Sequence, residues 1–212
     1  MFLSQLLHAL DAEIVAKRSP RFVSRLRSVA FAVVLLQPLP GFAAETAARW
    51  PQWRGPGGQG HATDAHHLPV EWSETKNVVW KAVLPGRGWS SPVIDGGLVW
   101  MTTAIESPLD EDEKQRRIDA AKAAGNTSPL EVSGPVSFRA LAVDRGTGAL
   151  VRDVELFVVA EPQPIHTLNS FASPSPVIAD GRLYCHFGDY GTACVDTATG
   201  GVVWTTRDLP RP

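Results

Sequence analysis

Cysteine is nearly missing from this chain: Cys185 and Cys194 are its only two. That number excludes a disulfide-framework fold, and it leaves no cysteine set for a structural zinc site. Charge of one sign is also missing, since 20 Lys and Arg stand against 22 Asp and Glu for a net charge of -2. Nucleic acid and anionic membranes therefore lose their electrostatic ground as partners. No apolar run reaches the roughly 20 residues of a membrane-spanning helix. The run from Val29 to Leu36 is far shorter and is broken by Pro38 and Pro40. Tyrosine is scarce, with two residues, whereas tryptophan is not, with seven.

What is abundant is punctuation. The 18 glycines and 17 prolines are spread along the chain rather than clustered, which reads as many short elements joined by turns, the habit of all-β proteins. The front of the chain is different. Lys17, Arg18, Arg21, Arg25 and Arg27 precede the apolar run, and Gly41-Phe42-Ala43 supplies small residues at the positions a signal peptidase reads. Residues 1–43 are thus expected to be a signal peptide with a helical apolar segment, cleaved after Ala43 and leaving no stable membrane span. The protein is then exported, to the periplasm or beyond. Residues 44–76 read as an extended or loop segment, and residues 77–212 as the folded body.

The body repeats itself. Ser91-Pro-Val-Ile-Asp-Gly-Gly-Leu-Val-Trp100 recurs as Ser175-Pro-Val-Ile-Ala-Asp-Gly-Arg-Leu-Tyr184, and Asp144-x-x-Thr147-Gly148 recurs as Asp196-x-x-Thr199-Gly200. Val78-Val79-Trp80 is echoed by Val202-Val203-Trp204. Each repeat reads as four short antiparallel strands. The first turns into the second through a Gly pair or Asp-Gly, and the third turns into the fourth through Thr-Gly. Leu183, Cys185 and Phe187 alternate with Tyr184 and His186, the period of a strand with two unlike faces. Four-stranded repeats with fixed tryptophans predict about two blades of a partial β-propeller. The excess length between Glu106 and Val136 is charged, then Ala-rich. It predicts a solvent-exposed helix over about 108–124, inserted between the second and third strands of the first repeat.

The two Asp-x-x-Thr-Gly turns, the second followed by Trp204, resemble the tryptophan-docking repeat of pyrroloquinoline quinone (PQQ)-type propellers. Trp50-Pro-Gln-Trp-Arg-Gly-Pro56, Glu71-Trp72-Ser73 and Pro85-Gly-Arg-Gly-Trp-Ser-Ser-Pro92 resemble the front end of exported PQQ-binding-like repeat proteins. The resemblance runs from Trp50 to about Leu209. It implies a propeller related to quinoprotein dehydrogenases and to the outer-membrane assembly scaffold, with Trp rings covering the junctions between blades. It marks Asp144, Thr147, Gly148, Asp196, Thr199, Gly200 and Trp204 as structural repeat residues. Arg152 departs from the pattern, standing where Trp is expected. In the family the segment Val78 to Leu84 would be a strand completing the last blade. Propellers of this kind close with about seven or eight blades of roughly 40 residues, so two repeats lead to the expectation of an incomplete propeller.

Chemistry is sparse. A quinoprotein dehydrogenase needs a Ca²⁺ set of Glu and Asn or Asp, a catalytic Asp and, in the alcohol dehydrogenases, an adjacent cysteine pair. None is visible, so no catalytic, cofactor or metal residue is assigned. Gly55-x-Gly57-x-x-Gly60 matches a dinucleotide fingerprint in letters only, since it carries Pro56 and follows no strand. His61, Asp64, His66 and His67 read as a polar loop rather than a metal set. For the cysteines, pairing Gly188 with Gly191 would set Cys185 opposite Cys194. A left-handed bulge at Gly191 would set His186 there instead, with the thiols on opposite faces. Gly191 suits the bulge, and no bridge is expected. Arg87, Trp89, His166 and Asn169 precede the innermost strands, at one mouth of the propeller channel, and are the candidates for a contact surface. The alternative reading of them is packing or capping. The expected function is a binding or scaffolding module whose partner is a protein or further blades, without a cofactor. The alternative is a fragment of a PQQ-dependent dehydrogenase, which would need PQQ and Ca²⁺.

Overall fold

A computed structural model of the chain describes residues 48–63 and 65–208. The expected signal peptide, Asp64 of the polar loop and the end of the chain from residue 209 lie outside the described residues. The body is built almost wholly of antiparallel strands with one α-helix, in three sheets: a five-stranded, a four-stranded and a two-stranded one.

In the first repeat the strands are β2 (Val93–Asp95), β3 (Leu98–Glu106), β5 (Val136–Asp144) and β6 (Leu150–Val159). In the second they are β8 (Val177–Ala179), β9 (Arg182–His186), β10 (Thr192–Asp196) and β11 (Val202–Thr206). Each set is hydrogen-bonded in chain order. The first sheet gains an inner fifth strand, β1 (Arg49–Trp50), paired with β2. The tight turns follow their sequence: Asp180 and Gly181 take φ of 48° and 70° between the paired Ala179 and Arg182. Positive φ at both central positions matches the right-handed twist of a two-residue hairpin.

Cross-strand register explains how the sheets stack. Val93, Trp100, Ala142 and Arg152 lie side by side across the first sheet. The first three of these are fully buried. They form one core with Ile178, Leu183, Cys185, Ala193 and Val195, which occupy the opposite kind of face on the second sheet. One sheet's face thus packs on the other sheet's back. Aromatic edges close the core at one end: Phe138 lies 5.0 Å from Phe187 and 4.9 Å from Tyr190, and Phe157 lies 6.1 Å from Phe187. Such edge and tilted contacts add to area burial.

Between β3 and β5 stands the inserted helix, α1 (Glu111–Ala123), where the sequence places one. It starts later than Ser107-Pro108 suggested. Asp110 is the N-cap, its carboxylate accepting from the Glu113 N–H at 2.8 Å, while the Ser107 carbonyl is taken by Gly134 N–H and the Ser133 hydroxyl. None of its residues is buried. Arg116 and Arg117 both bind Glu113, and Arg117 also donates to the Ser133 carbonyl at 3.3 Å, tying the helix to its own return path. That return path carries β4 (Leu130–Glu131), which pairs with β7 (Ile165–His166).

Two details correct the sequence reading. Val78 to Leu84 is not a strand: extended backbone becomes a strand only where a neighbour supplies hydrogen bonds, and none of the three sheets takes it up. The Cys hairpin has neither anticipated register. His186 faces Thr192 and Cys185 faces Ala193, while Cys194 faces Tyr184. A 3-10 turn over Gly188–Tyr190, closed by Phe187 N–H to the Gly191 carbonyl at 2.9 Å, sets that register. The thiols therefore lie on opposite faces of the sheet, free and buried.

Candidate functional site

The repeat residues form two turns of the same construction. Asp144 Oδ1 accepts from Gly146 N–H, Thr147 N–H and the Thr147 hydroxyl at 3.1, 2.8 and 2.8 Å. Asp196 Oδ1 accepts from Ala198 N–H, Thr199 N–H and the Thr199 hydroxyl at 3.1, 2.8 and 3.0 Å. Three donors on one oxygen hold each carboxylate in its charged form. The Thr147 side chain and amide lower Asp144, and Asp196 is lowered to about 2 by the Thr199 amide and hydroxyl, with Arg182 adding its charge. Gly148 and Gly200 end these turns at φ of 76° and 77°, a region that strains any side chain.

Each glycine also makes room for a cover. A Cβ on Gly148 would lie 2.7 Å from the Trp80 ring, so the indole rests flat on the turn. Its Nε1–H donates to the Arg145 carbonyl at 2.9 Å. On Gly200 the same place is taken by Arg152: a Cβ there would meet its Cδ at 2.8 Å, and its guanidinium donates to the Ala198 carbonyl at 2.5 Å. The residue that broke the tryptophan pattern thus does the same job with an aliphatic stem and a planar donor. Trp204, the third member, lies 6.2 Å from the Tyr184 ring instead.

The mouth candidates fall into two pairs. Arg87 sits in the Gly86-Arg87-Gly88 strap, whose main chain pairs with Ala104. Both glycines are needed for that approach, because a Cβ on Gly86 would lie 2.5 Å from the Ala104 carbonyl oxygen and one on Gly88 2.6 Å from that of Thr102. The Arg87 guanidinium is held between Glu106 and Glu131, each at 3.0 Å. Its pKa is raised, chiefly by the hydrogen bond to Glu131, so it stays charged and already neutralised. His166 closes a turn: its Nδ1 accepts from Leu168 N–H at 3.0 Å, and its carbonyl accepts from Asn169 N–H at 2.8 Å. Trp89 is pinned by its backbone N–H to the Ala172 carbonyl and the Ser170 hydroxyl, yet the residue is 58% exposed. Asn169 is exposed beside it in sequence to Ser170. β7 links the pairs, since it carries His166 and bonds the strand that carries Glu131. An open groove of about 630 Å³ lies between β6 and β11, lined by Leu156, Phe157, Val158 and Thr205 to Asp208. Its lining contains none of the four.

Sequence reasoning missed Trp50, Pro51 and Gly55 as organisers. β1 lies along the inner edge of the first sheet, and the Pro51 carbonyl accepts from Ile178 N–H at 2.7 Å in the second. The segment therefore straps the inner strands of both repeats. Trp50 folds onto Gly55, where a Cβ would meet its ring at 2.5 Å. The signal was the Trp-Pro-Gln-Trp-Arg-Gly motif itself, with Gly55 following at the distance at which a Trp can fold back on a turn. No protein-family model matches the chain, and no curated protein matches it at a significant level.

Proposed function

We propose that the chain is an exported binding or scaffolding module of PQQ-like β-propeller type, whose described residues comprise two neighbouring blades. One observation carries the reading. Two sheets whose four repeat strands follow the same order and share the same Asp-Thr-Gly turn stack face to back, each turn covered by a side chain from the segment before it. Repetition of that step turns sheets about a common axis. Binding rather than catalysis is supported by the mouth residues. Arg87 is charge-satisfied and His166 is used as a cap, which leaves the Trp89 ring and Asn169 as the outward groups. An exposed indole and an exposed amide suit contact with a partner surface better than proton transfer.

The test is retention of the quinone. The purified exported protein is incubated with PQQ and Ca²⁺, passed over a desalting column and examined for quinone absorbance and for dye-linked oxidation of alcohols and sugars. The expected result is quinone in the small-molecule volume and no turnover. Quinone that elutes with the protein and supports turnover makes the chain a fragment of a PQQ-dependent dehydrogenase instead.

A further inference from the structure

The four mouth residues lie on one closed circuit. The Arg87 guanidinium reaches Glu131 on β4, and β4 pairs with β7, which carries His166. The His166 carbonyl takes the Asn169 N–H. The next residue, Ser170, accepts from the Trp89 N–H at 3.1 Å, two positions from Arg87. One half of this circuit is anchored in the body. The Arg87 main chain exchanges two hydrogen bonds with Ala104, and Trp89 bonds Ser170 and Ala172, both buried. The other half is not. All four residues of β4 and β7 are only half-buried, and so short a two-stranded pair is marginal without a core beneath it. One further backbone bond, Thr167 N–H to the Pro129 carbonyl at 3.1 Å, extends the pairing. Charge does what packing does not. Arg87 grips Glu106 through Nε and Nη2 at 3.1 and 3.3 Å, and the same Nη2 spans to Glu131 at 3.0 Å. The Arg87 and Glu131 side chains are 35% and 33% exposed, so dissolved ions reach the pair and weaken it.

We propose that Arg87 is a latch on the contact surface: fixed to Glu106, it locks the β4–β7 sheet through Glu131 and lets that sheet open as the pair is screened by salt. The His166 to Asn169 turn moves with β7, whereas Trp89 stays on its own anchors. The latch thus sets how firmly Asn169 is held relative to Trp89, the two outward groups of the mouth. This deepens the reading of the mouth as a contact surface and rests on it. Its consequence is that contact there depends on ionic strength even for an uncharged partner. Direct attraction between charges is not needed, because the salt acts on the protein's own ion pair.

Amide hydrogen exchange read by nuclear magnetic resonance tests the latch. The reporter is the Thr167 amide, which bonds across the sheet to Pro129, and the reference is the Trp89 amide, which bonds to Ser170 and Ala172. In the native chain the Thr167 rate, taken relative to Trp89, should rise about three- to tenfold between low salt and about 1 M NaCl, the range over which a part-exposed pair is screened. Glu131→Met should show that rise already at low salt and be flat with added salt. R87M/E131M should exchange Thr167 no faster than E131M, since both changes remove one interaction. If E131M loses its sheet signal by circular dichroism, Glu131→Gln takes its place, with the same loss of salt dependence and a smaller rise. A native Thr167 rate indifferent to salt overturns the proposal. So does a variant that keeps the salt dependence, a double variant faster than the single one, or a Trp89 amide that quickens together with Thr167. Each of these refutes the latch alone, since the function reading is tested separately by quinone retention.

Discussion

Asp144 and Asp196 show how one carboxylate oxygen organises a turn: three donors converge on it, and the chain reverses around it. Because both pKa values are lowered in the folded protein, the stabilisation is complete above the unfolded carboxylate value of about 4. For Asp196 it is lost as pH falls through about 2. Thermal melts from pH 7 to pH 2 should therefore fall along an acid limb in the native chain, and Asp196→Asn should flatten that limb. The neighbouring glycines separate two covers of different stiffness. Gly148→Ala should cost about 1–2 kcal/mol for its left-handed backbone, and more again because a rigid indole must move. Gly200→Ala should cost less, since the Arg152 stem can swing aside. Urea titrations compare the two, and equal losses would contradict a flat indole on Gly148. The cysteines make a third residue-scale case. Cys185 is pushed up to about 12 by burial, and Cys194 is also raised. A thiol reagent at pH 8 should label neither until the protein unfolds; rapid native labelling would show that they are not enclosed. That the thiols lie on opposite faces was one of the two readings the sequence offered. The register behind it was not, because the 3-10 turn sets His186 opposite Thr192, two residues from the Cys194 that a bulge would place there.

At the scale of elements, the strands were legible because turn chemistry brackets them. Gly96, Asp180-Gly181 and the two Thr-Gly pairs end strands where only positive φ lets the chain reverse. The alternation of Leu183, Cys185 and Phe187 fixed a buried face that the structure keeps. Val78 to Leu84 failed as a strand because its letters match Val202 to Thr206 while its neighbours do not: pairing is a property of two segments, and sequence repeats show one at a time. Helix α1 was visible through its charge, but its start was displaced to Asp110, whose carboxylate captures the Glu113 amide. Since no residue of α1 is buried, the helix contributes little to the stacked sheets. The Ser107 to Gly134 hydrogen bond closes the loop beneath it. Replacing residues 109–127 with a short Gly-Ser linker should shift unfolding free energy by no more than about 1 kcal/mol. A larger loss in a denaturant titration would mean that the helix supports the sheets. The candidate contact residues could be named from the sequence, whereas their partners could not. The Glu106 and Glu131 carboxylates that hold Arg87 come from strands on either side of the inserted helix, far apart in sequence.

For the whole molecule, the governing fact is that the two sheets meet by unlike faces. Face-to-back stacking is not self-complementary, so a pair of repeats always leaves one face and one back unspent. The first back is attended by the segment carrying Trp80, the inner edges are strapped by Trp50 and Pro51, and the last face is left with Trp204. Whether the two junctions are truly equivalent can be read in one experiment, a nuclear Overhauser spectrum of the native protein. Stacked equivalent repeats predict cross-peaks from the Trp80 indole protons to Gly148 Hα and, separately, from the Arg152 Hδ protons to Gly200 Hα. A spectrum that places Trp80 away from Gly148, or leaves Gly200 without Arg152, would contradict the stacking of equivalent repeats.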